Sequence, residues 1–372
     1  MPHPGFRRYD IKSQCGHRDR DMQNTPLVNL FLAVGLVLMI GWLLILGQTI
    51  LLPIVLAIIA VYVLTAAAEA LGRLPFAQRL PLFVLHGIVL LIFTLVVIAF
   101  ALIISVTLRE MVAVMPGYQR NLEILTAKVA AIGGITDPTW DDIVEVTLGK
   151  IHLQTIMFRV LGGLSSFGLT VFLVVVYSGF LMAERRGFPD KLAAAFPRGH
   201  QAELTGRILR DANRRIGDYL AIKTGINIIL SVISFAILWW MGVDFALFWA
   251  VIIGLFNYIP YLGTIVGVSL PVLLSLAQFG SLGTTAVLGA LLIAAQTYVG
   301  SILEPRVIGR QLNLSPFVVL VALSVWTTLW GLPGAILAIP LTAMIGIICG
   351  AFPETRFVEA LLANRHEPGD AP

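Results

Sequence analysis

Polar side chains recur at helical spacing inside two otherwise apolar segments of the chain. Lys223, Asn227 and Ser231 follow one another at four-residue intervals and therefore share one face of a helix. A second stripe in a later segment carries Gln296 and Glu304, eight positions apart. Amide, hydroxyl and charged groups on such faces hydrogen-bond polar solutes or ions. Because polar side chains in a membrane span normally face the bundle interior or a cavity, both stripes are candidates for a solute pathway or gate.

A third candidate element interrupts the run between Phe245 and Leu303, which contains no Asp, Glu, Lys, Arg or His. The stretch NYIPYLGTIVGVSLP, residues 257–271, combines an amide, two phenols, two prolines and two glycines. Non-helical backbone at membrane depth is tolerated only where protein or water satisfies it, and Gly/Pro-interrupted segments mark binding sites in transporters. We therefore predict a substrate or gating element over 257–267, with Asn257, Tyr258, Pro260, Tyr261, Gly263 and Gly267 as its residues.

The alternative interpretation of this stretch is a tight turn between two packed helices, with Gly263 and Gly267 as a GxxxG contact face. For Lys223 and Glu304, both near the cytoplasmic ends of their segments, the hypothesis is an ion pair that opens and closes an inner gate. The alternative is that both side chains extend to the lipid headgroups.

The composition indicates a membrane protein. The 372 residues are 58% hydrophobic and 12% charged, and the mean hydropathy is +0.90, whereas soluble domains carry roughly 25% charged residues. Long apolar runs without alternation favour helices over a barrel. We predict an all-α, polytopic helical membrane protein with about eight transmembrane helices, one or more broken or re-entrant segments and a small extracytoplasmic helical domain. The formal charge of +4 indicates cytoplasmic loops rather than a nucleic-acid partner.

Two of the apolar segments, 245–259 and 316–330, are too short for an ordinary crossing. About 15 residues of helix measure about 22 Å, against a bilayer core of about 30 Å. Each is either half of a re-entrant hairpin or a short crossing helix in a thinned bilayer. Pairing 245–259 with 262–279 as a hairpin gives eight crossings, and counting every segment as a crossing gives ten. Both counts are even, so both predict that the two termini lie in the cytoplasm. The apolar segments are 28–46, 50–67, 82–108, 160–182, 219–242, 245–259, 262–279, 283–303, 316–330 and 333–352.

The charge of the polar stretches divides the chain into regions. We expect a disordered cytoplasmic arm over 1–26, which is Arg-rich and has no signal-peptide core, and a first bundle of three spans over 27–108. Residues 109–159 should form two short amphipathic extracytoplasmic helices, with Asp137 as the N-cap of the second. After a span at 160–182, residues 183–218 should hold a cytoplasmic amphipathic helix, lying along the inner membrane surface or packed on another subunit or loop. A transport core with helix breaks at 257–267 and 304–316 then covers 219–352, and 353–372 is a cytoplasmic tail.

Several kinds of chemistry have no motif in this chain. No GxxxxGK[ST] phosphate loop, HExxH metal motif or nucleophile elbow occurs. We therefore expect neither an enzyme nor a bound cofactor or metal. Because no charged group or histidine lies within 245–303, the sequence favours a neutral solute over a coupled ion.

The order of the motifs resembles one known family. RILRDANRRIGDYL, MGVDFALFWAVIIGLFNYIPYLGTIVGVSLP, ILEPRVIGRQLNLSPFVVLVAL and WGLPGAILAIPLTA are similar to the autoinducer-2 exporters, also called PerM-like permeases, over roughly residues 28–355. The resemblance implies an inner-membrane transporter with about eight spans, a large loop after the third span and a homo-oligomeric assembly. Family members are associated with export of the quorum-sensing furanone autoinducer-2, and some with sodium(lithium)/proton antiport. The signature positions are Pro260, Gly263, Glu304, Pro305, Gly309, Pro316, Gly331 and Pro340.

Three functions are consistent with these observations. The first is a bacterial inner-membrane exporter or facilitator of a small polar organic solute such as autoinducer-2. The second is a sodium(lithium)/proton antiporter in which Glu304 and freed backbone carbonyls take part. The third is a non-transporting membrane scaffold that binds a partner through residues 109–159. The expected partners are the lipid bilayer, a small-molecule or ion substrate and further copies of the chain.

Overall fold

The computed structural model describes residues 26–75, 77–133, 153–184, 199–308, 314–352 and 355–364. All secondary structure within these ranges is helical. The elements are α1 (Pro26–Leu46), α2 (Gln48–Gly72), α3 (Leu82–Gly133), α4 (Leu153–Glu184), α5 (Gly199–Trp240), α6 (Ala246–Phe256), α7 (Leu262–Phe279), α8 (Leu282–Tyr298), a π-helical turn (Val299–Leu303), α9 (Glu304–Ile308), α10 (Pro316–Gly350) and α11 (Arg356–Leu362).

Six helical stretches in the described residues are long and apolar enough to cross a membrane. They are Gln48–Gly72, Leu82–Leu125, Arg214–Trp240, Leu262–Phe279, Leu282–Val307 and Pro316–Gly350. Three shorter apolar helices cover Phe31–Leu46, Gly168–Glu184 and Ala246–Phe256. These findings confirm the predicted polytopic helical membrane protein. The described residues up to Thr49, which include α1, form one unit, and the described residues from Ile50 onward form the second.

α3 and α5 extend far beyond the predicted apolar segments, because an α-helix can continue from an apolar stretch into a polar one. α3 has 52 residues, so the first short helix predicted after residue 108 is its continuation. α5 has 42 residues and includes most of the amphipathic stretch that was predicted to lie along the membrane surface. No proline occurs between Gly199 and Trp240 to interrupt α5. Asp137 and the second predicted helix start lie outside the described residues.

α6 and α7 form an antiparallel helical hairpin. Its turn is the non-helical stretch 257–261, which is shorter than the predicted break because Gly263 and Gly267 already belong to α7. Tyr261 adopts a φ of 62° in this turn, a conformation that only a tightly constrained turn imposes on a tyrosine. At the open end, the Gln278 side chain accepts a hydrogen bond from the Asp244 backbone N–H at 2.9 Å and donates one to the Gly242 carbonyl at 2.8 Å. One side chain therefore ties the two ends of the hairpin together.

Although Pro316–Gly350 has the length and composition of a span, α10 is two helical arms that form a second hairpin, since its helical geometry is interrupted at Gly331, where φ is 63° and ψ is −144°. Trp326 Nε1 donates a hydrogen bond to Thr342 Oγ1 at 3.1 Å. Sixteen residues of straight helix would separate these side chains by about 24 Å, so the chain folds back at Gly331. A Cβ at Gly334 would overlap the Trp326 carbonyl, which explains a glycine just after the turn. This geometry agrees with the interpretation of 316–330 as half of a hairpin.

The core that positions these elements lies among α5, α6, α7 and α8. Its buried members include Leu230, Ile253, Leu288, Leu292 and Val299. α11 closes the open end of the second hairpin, because its Leu362 carbonyl accepts a hydrogen bond from the Ser315 backbone N–H at 2.9 Å. The Ser315 hydroxyl in turn caps α10 by accepting from the Val318 N–H.

Candidate functional site

A chain of buried amide side chains connects the turn of the first hairpin to two other helices. Asn257, the first residue of the turn, donates through Nδ2 to Asn227 Oδ1 of α5 at 2.8 Å. Its Oδ1 accepts from Gln296 Nε2 of α8 at 2.7 Å. The three residues are 8%, 4% and 4% exposed, respectively. The structure thus brings together one member from each of the three elements singled out in the sequence.

Two threonines that the sequence interpretation missed extend this chain. Gln296 Nε2 also donates to Thr264 Oγ1 at 3.2 Å, and the hydroxyls of Thr224 and Tyr258 share a hydrogen bond at 2.7 Å. Thr224 follows Lys223 directly, and Thr264 follows Gly263. Their positions beside predicted residues were the available signal. Two polar residues of the turn, Asn257 and Tyr258, are therefore tied to α5.

One hydrogen-bond donor in this cluster has no partner of acceptable geometry among the described residues. It is Nδ2 of Asn227, which lies beside the Tyr258 hydroxyl. A buried amide N–H without a partner costs free energy. It can therefore donate to a solute oxygen that enters the cluster.

Lys223 and Glu304 form the ion pair that the sequence suggested. Lys223 Nζ lies 2.6 Å from Glu304 Oε1, and the two side chains are 7% and 27% exposed. The pair joins α5 to the start of α9, immediately after the π-helical turn. Tyr219, one turn before Lys223 on α5 and 6% exposed, extends the same stripe and was missed, because a tyrosine at a helix end is common in membrane proteins.

The π-helical turn aligns Gln296 and Glu304. Eight residues of regular α-helix rotate by about 800°, which leaves the second side chain about 80° away from the first. A π-helical turn inserts one extra residue, so the eight positions rotate like about seven and the offset falls to about 20°. Val299–Leu303 is such a turn. The irregular helix therefore places the amide and the carboxylate on one face, as their stripe requires.

Glycines allow α6 to lie close to α5 and to α7. A Cβ at Gly254 would overlap the Ser231 hydroxyl, and a Cβ at Gly263 would overlap the Phe256 carbonyl. A Cβ at Gly267 would lie 3.5 Å from the Ile253 Cα. Ser231 therefore packs against α6 instead of joining the amide chain. The contacts of Gly263 and Gly267 are packing contacts, which was the alternative interpretation of these two residues.

The remaining predicted positions lie apart from the amide chain. Pro260 is half-buried and Tyr261 is exposed in the hairpin turn, while Pro305 is exposed in α9. In the second hairpin, Pro316 begins the first arm, Gly331 forms the turn and Pro340 is buried in the second arm. Gly309 lies outside the described residues, together with the rest of 309–313 in the predicted break at 304–316.

A second polar cluster at the opposite end of the first hairpin was not foreseen. Tyr118 Oη donates to Asp244 Oδ2 at 2.7 Å. Asn121 Nδ2 donates to the carbonyls of Ala277 at 3.2 Å and Gln278 at 2.6 Å. Both side chains come from the part of α3 that the sequence assigned to a separate domain, so no contact with the hairpin was expected. α3 thereby fastens the open end of the hairpin.

Comparison with known proteins identifies the family. The profile described as AI-2E family transporter matches residues 31–354. The chain belongs to this family. Membership confirms the resemblance carried by the motifs, and it assigns the multi-pass helical fold to a family of transport proteins. No group of three or more His, Cys, Asp or Glu side chains in the described residues is arranged to hold a metal ion.

Individual relatives at moderate sequence identity are also described as transport proteins. The AI-2 transport protein TqsA of Escherichia coli K12 is 26% identical over 299 residues, which cover 79% of this chain and 84% of TqsA. A Borreliella burgdorferi protein provisionally named a transport protein is 36% identical over 184 residues, 49% of this chain and 51% of its own length. E. coli K12 YhhT, with the same provisional description, is 34% identical over 207 residues. These last two matches span about half of each relative, 51% and 57%.

Proposed function

We propose that this protein is a secondary-type transporter of the bacterial inner membrane that exports or facilitates a small polar organic solute. The observation that carries the proposal is the buried chain Asn227–Asn257–Gln296. It ties the turn of a broken helix to two spanning helices through neutral hydrogen bonds. A merely structural turn has no need of three buried amides, because burying polar groups costs free energy unless every hydrogen bond is made.

In this proposal the hydrogen bonds of the amide chain hold the transport pathway closed. A solute that carries hydroxyl or carbonyl oxygens replaces the amide partners one by one, so the hairpin turn separates from α5 or α8 without leaving polar groups unpaired. Asn227 Nδ2, which lies beside the Tyr258 hydroxyl without a hydrogen bond of ordinary geometry, is the first donor offered to such a solute. The Lys223–Glu304 pair closes the same pathway on the side of α9. Autoinducer-2 is the first solute to test, because the relative TqsA is named for it.

A second candidate function, sodium(lithium)/proton antiport, is favoured by one observation. Glu304 and Lys223 form a largely buried ion pair in two candidate spans, and intramembrane ionisable residues often belong to proton or ion pathways. In that mechanism the pair would separate as Glu304 exchanges its lysine for a cation or a proton. The non-transporting scaffold remains the third candidate, without a specific observation in its favour.

The experiment is flux in proteoliposomes of the purified full chain, with labelled autoinducer-2 and a pH-sensitive dye measured in parallel. Furanone flux without sodium-dependent proton movement supports the exporter. Dye movement on addition of sodium or lithium, without furanone flux, supports the antiporter. Absence of both, with a partner captured through residues 109–159, would favour the scaffold. Cytoplasmic termini and a homo-oligomer belong to the same proposal and are checked by terminal protease accessibility and by native mass spectrometry.

A further inference from the structure

A groove between α3 and the start of α6 contains both apolar surface and carboxylates. Its volume is about 750 Å³, within the roughly 300–1,000 Å³ of small-molecule sites. Leu102 and Val106 of α3 and Leu247 of α6 line the apolar part. Glu110 and Asp244 line the groove as well. It lies apart from the amide chain and plays no part in the proposed transport pathway.

The depth of the groove corresponds to a membrane interface. The apolar run of α3 ends at residue 108, so Leu102 and Val106 lie within the hydrocarbon region and Glu110 lies at the level of the headgroups. Leu102 and Val106 are 60% and 51% exposed. The apolar part of the groove is therefore open to the bilayer, and the carboxylates lie at the depth of the lipid headgroups.

The two carboxylates differ in how they are held. Asp244 is fixed by the Tyr118 hydroxyl, which donates to its Oδ2, and by the Gln278 side chain, which accepts from its backbone N–H. Glu110 makes no ion pair or hydrogen bond with any residue that the structure describes. Two negative charges beside an apolar groove are complementary to an amphiphile with a cationic headgroup. They repel an anionic one.

We propose that this groove binds an aminophospholipid of the phosphatidylethanolamine type. Its acyl chain lies against Leu102, Val106 and Leu247, and its primary ammonium donates hydrogen bonds to Glu110 and Asp244. An ammonium group has three N–H donors, whereas the quaternary ammonium of phosphatidylcholine has none. The site therefore selects the primary amine over phosphatidylcholine by hydrogen bonding and over phosphatidylglycerol by charge.

The test measures lipid retention on the full chain. The protein is purified in detergent, stripped of lipid and incubated with equal amounts of phosphatidylethanolamine, phosphatidylcholine and phosphatidylglycerol, and retained lipid is counted by native mass spectrometry. Wild-type protein should retain phosphatidylethanolamine preferentially. Glu110→Gln should weaken its retention about tenfold, the size expected for the loss of one charged hydrogen-bond partner. Glu69→Gln, the same change at an exposed site on α2 that does not line the groove, should leave retention unchanged.

A second pair of variants tests the apolar part. Val106→Trp fills the groove and should lower retention of phosphatidylethanolamine, whereas Ile98→Trp, at an exposed α3 position outside the groove, should not. Equal retention of the three lipids by wild type would overturn the proposal, as would a Glu110→Gln variant that binds phosphatidylethanolamine like wild type. A groove occupied by a second copy of the chain would appear as a changed oligomer mass in Val106→Trp without any preference among lipids.

Discussion

Lys223 and Glu304, 81 positions apart in sequence, meet at 2.6 Å between Nζ and Oε1 and connect α5 to the segment that follows the π-helical turn. The Lys223 side chain is buried and the Glu304 side chain is mostly buried, at 7% and 27% exposed. Removing one partner of such a pair leaves the other charge buried without an opposite charge. The resulting loss of stability is larger than the stabilisation that the intact pair contributes.

The first prediction is that either charge reversal, Lys223→Glu or Glu304→Lys, lowers the free energy of unfolding by about 3 kcal/mol, the lower end of the range for broken buried pairs because Glu304 is partly exposed. The double reversal should recover most of the loss. Thermal unfolding of the purified variants in detergent provides the measurement. A matched control is the exposed pair Arg214–Asp218, 4.0 Å apart with side chains 84% and 59% exposed, where the same swap should matter by less than about 1 kcal/mol. A double reversal as unstable as the single variants would contradict the pair.

The second prediction concerns the amide chain. Asn257→Ala leaves Asn227 Oδ1 without its donor and leaves Gln296 Nε2 with Thr264 alone, so stability should fall by about 1–3 kcal/mol. Flux per folded molecule should fall more than the amount of folded protein, because the hairpin turn loses its register against α5 and α8. Ser269→Ala on α7 is the control, since its hydroxyl reaches only a carbonyl of its own helix. Unchanged flux per folded molecule would make the amides structural.

The third prediction separates two glycines by the space around them. Gly263→Ala should prevent normal folding or cost several kcal/mol, because its Cβ would overlap the backbone carbonyl of Phe256, which cannot move without distorting the hairpin turn. Gly225→Ala has nothing within 4 Å of its Cβ and should stabilise α5 by about 0.5–1 kcal/mol. Expression level and unfolding temperature distinguish the two. Normal stability of Gly263→Ala would mean that the turn is looser than the structure indicates.

The fourth prediction addresses the second hairpin. Gly331 has a φ of 63° and a ψ of −144°, a region that is almost exclusive to glycine, so Gly331→Ala should cost about 1–3 kcal/mol. Gly168→Ala, in open surroundings on α4, should cost nothing. Trp326→Phe should lose about 1 kcal/mol through its hydrogen bond to Thr342. If Gly331→Ala and Gly168→Ala unfold at the same temperature, α10 does not fold back at this residue.

The sequence singled out part of the candidate site, but it missed Thr224, Thr264 and Tyr219 and most of the contacts between the residues. Lys223, Asn227 and Gln296 were found because polar groups in apolar helices are costly and their spacing is helical. The choice of Asn257 as the residue that connects Asn227 to Gln296 depends on how α5, α6 and α8 pack. Packing of that kind follows from many contacts at once and leaves no local pattern.

Helix boundaries show the same limit. The end of the apolar run at residue 108 was interpreted as the end of a helix, although hydropathy reports only what surrounds the chain. The backbone of α3 continues to Gly133, and the contacts of Tyr118 and Asn121 with the hairpin depend on that continuation. The π-helical turn before Glu304 likewise has no sequence signal of its own.

The length of α3 has a practical consequence for visualising the protein. Its 52 residues measure about 78 Å, more than twice the thickness of the hydrocarbon core, so a large part of it extends into water on the side where Asp244 lies. An antibody fragment raised against that water-exposed part of α3 would serve as a fiducial marker for single-particle imaging. Because Asn121 of α3 donates hydrogen bonds to the carbonyls of Ala277 and Gln278, the fragment would report the orientation of the first hairpin from outside the detergent belt.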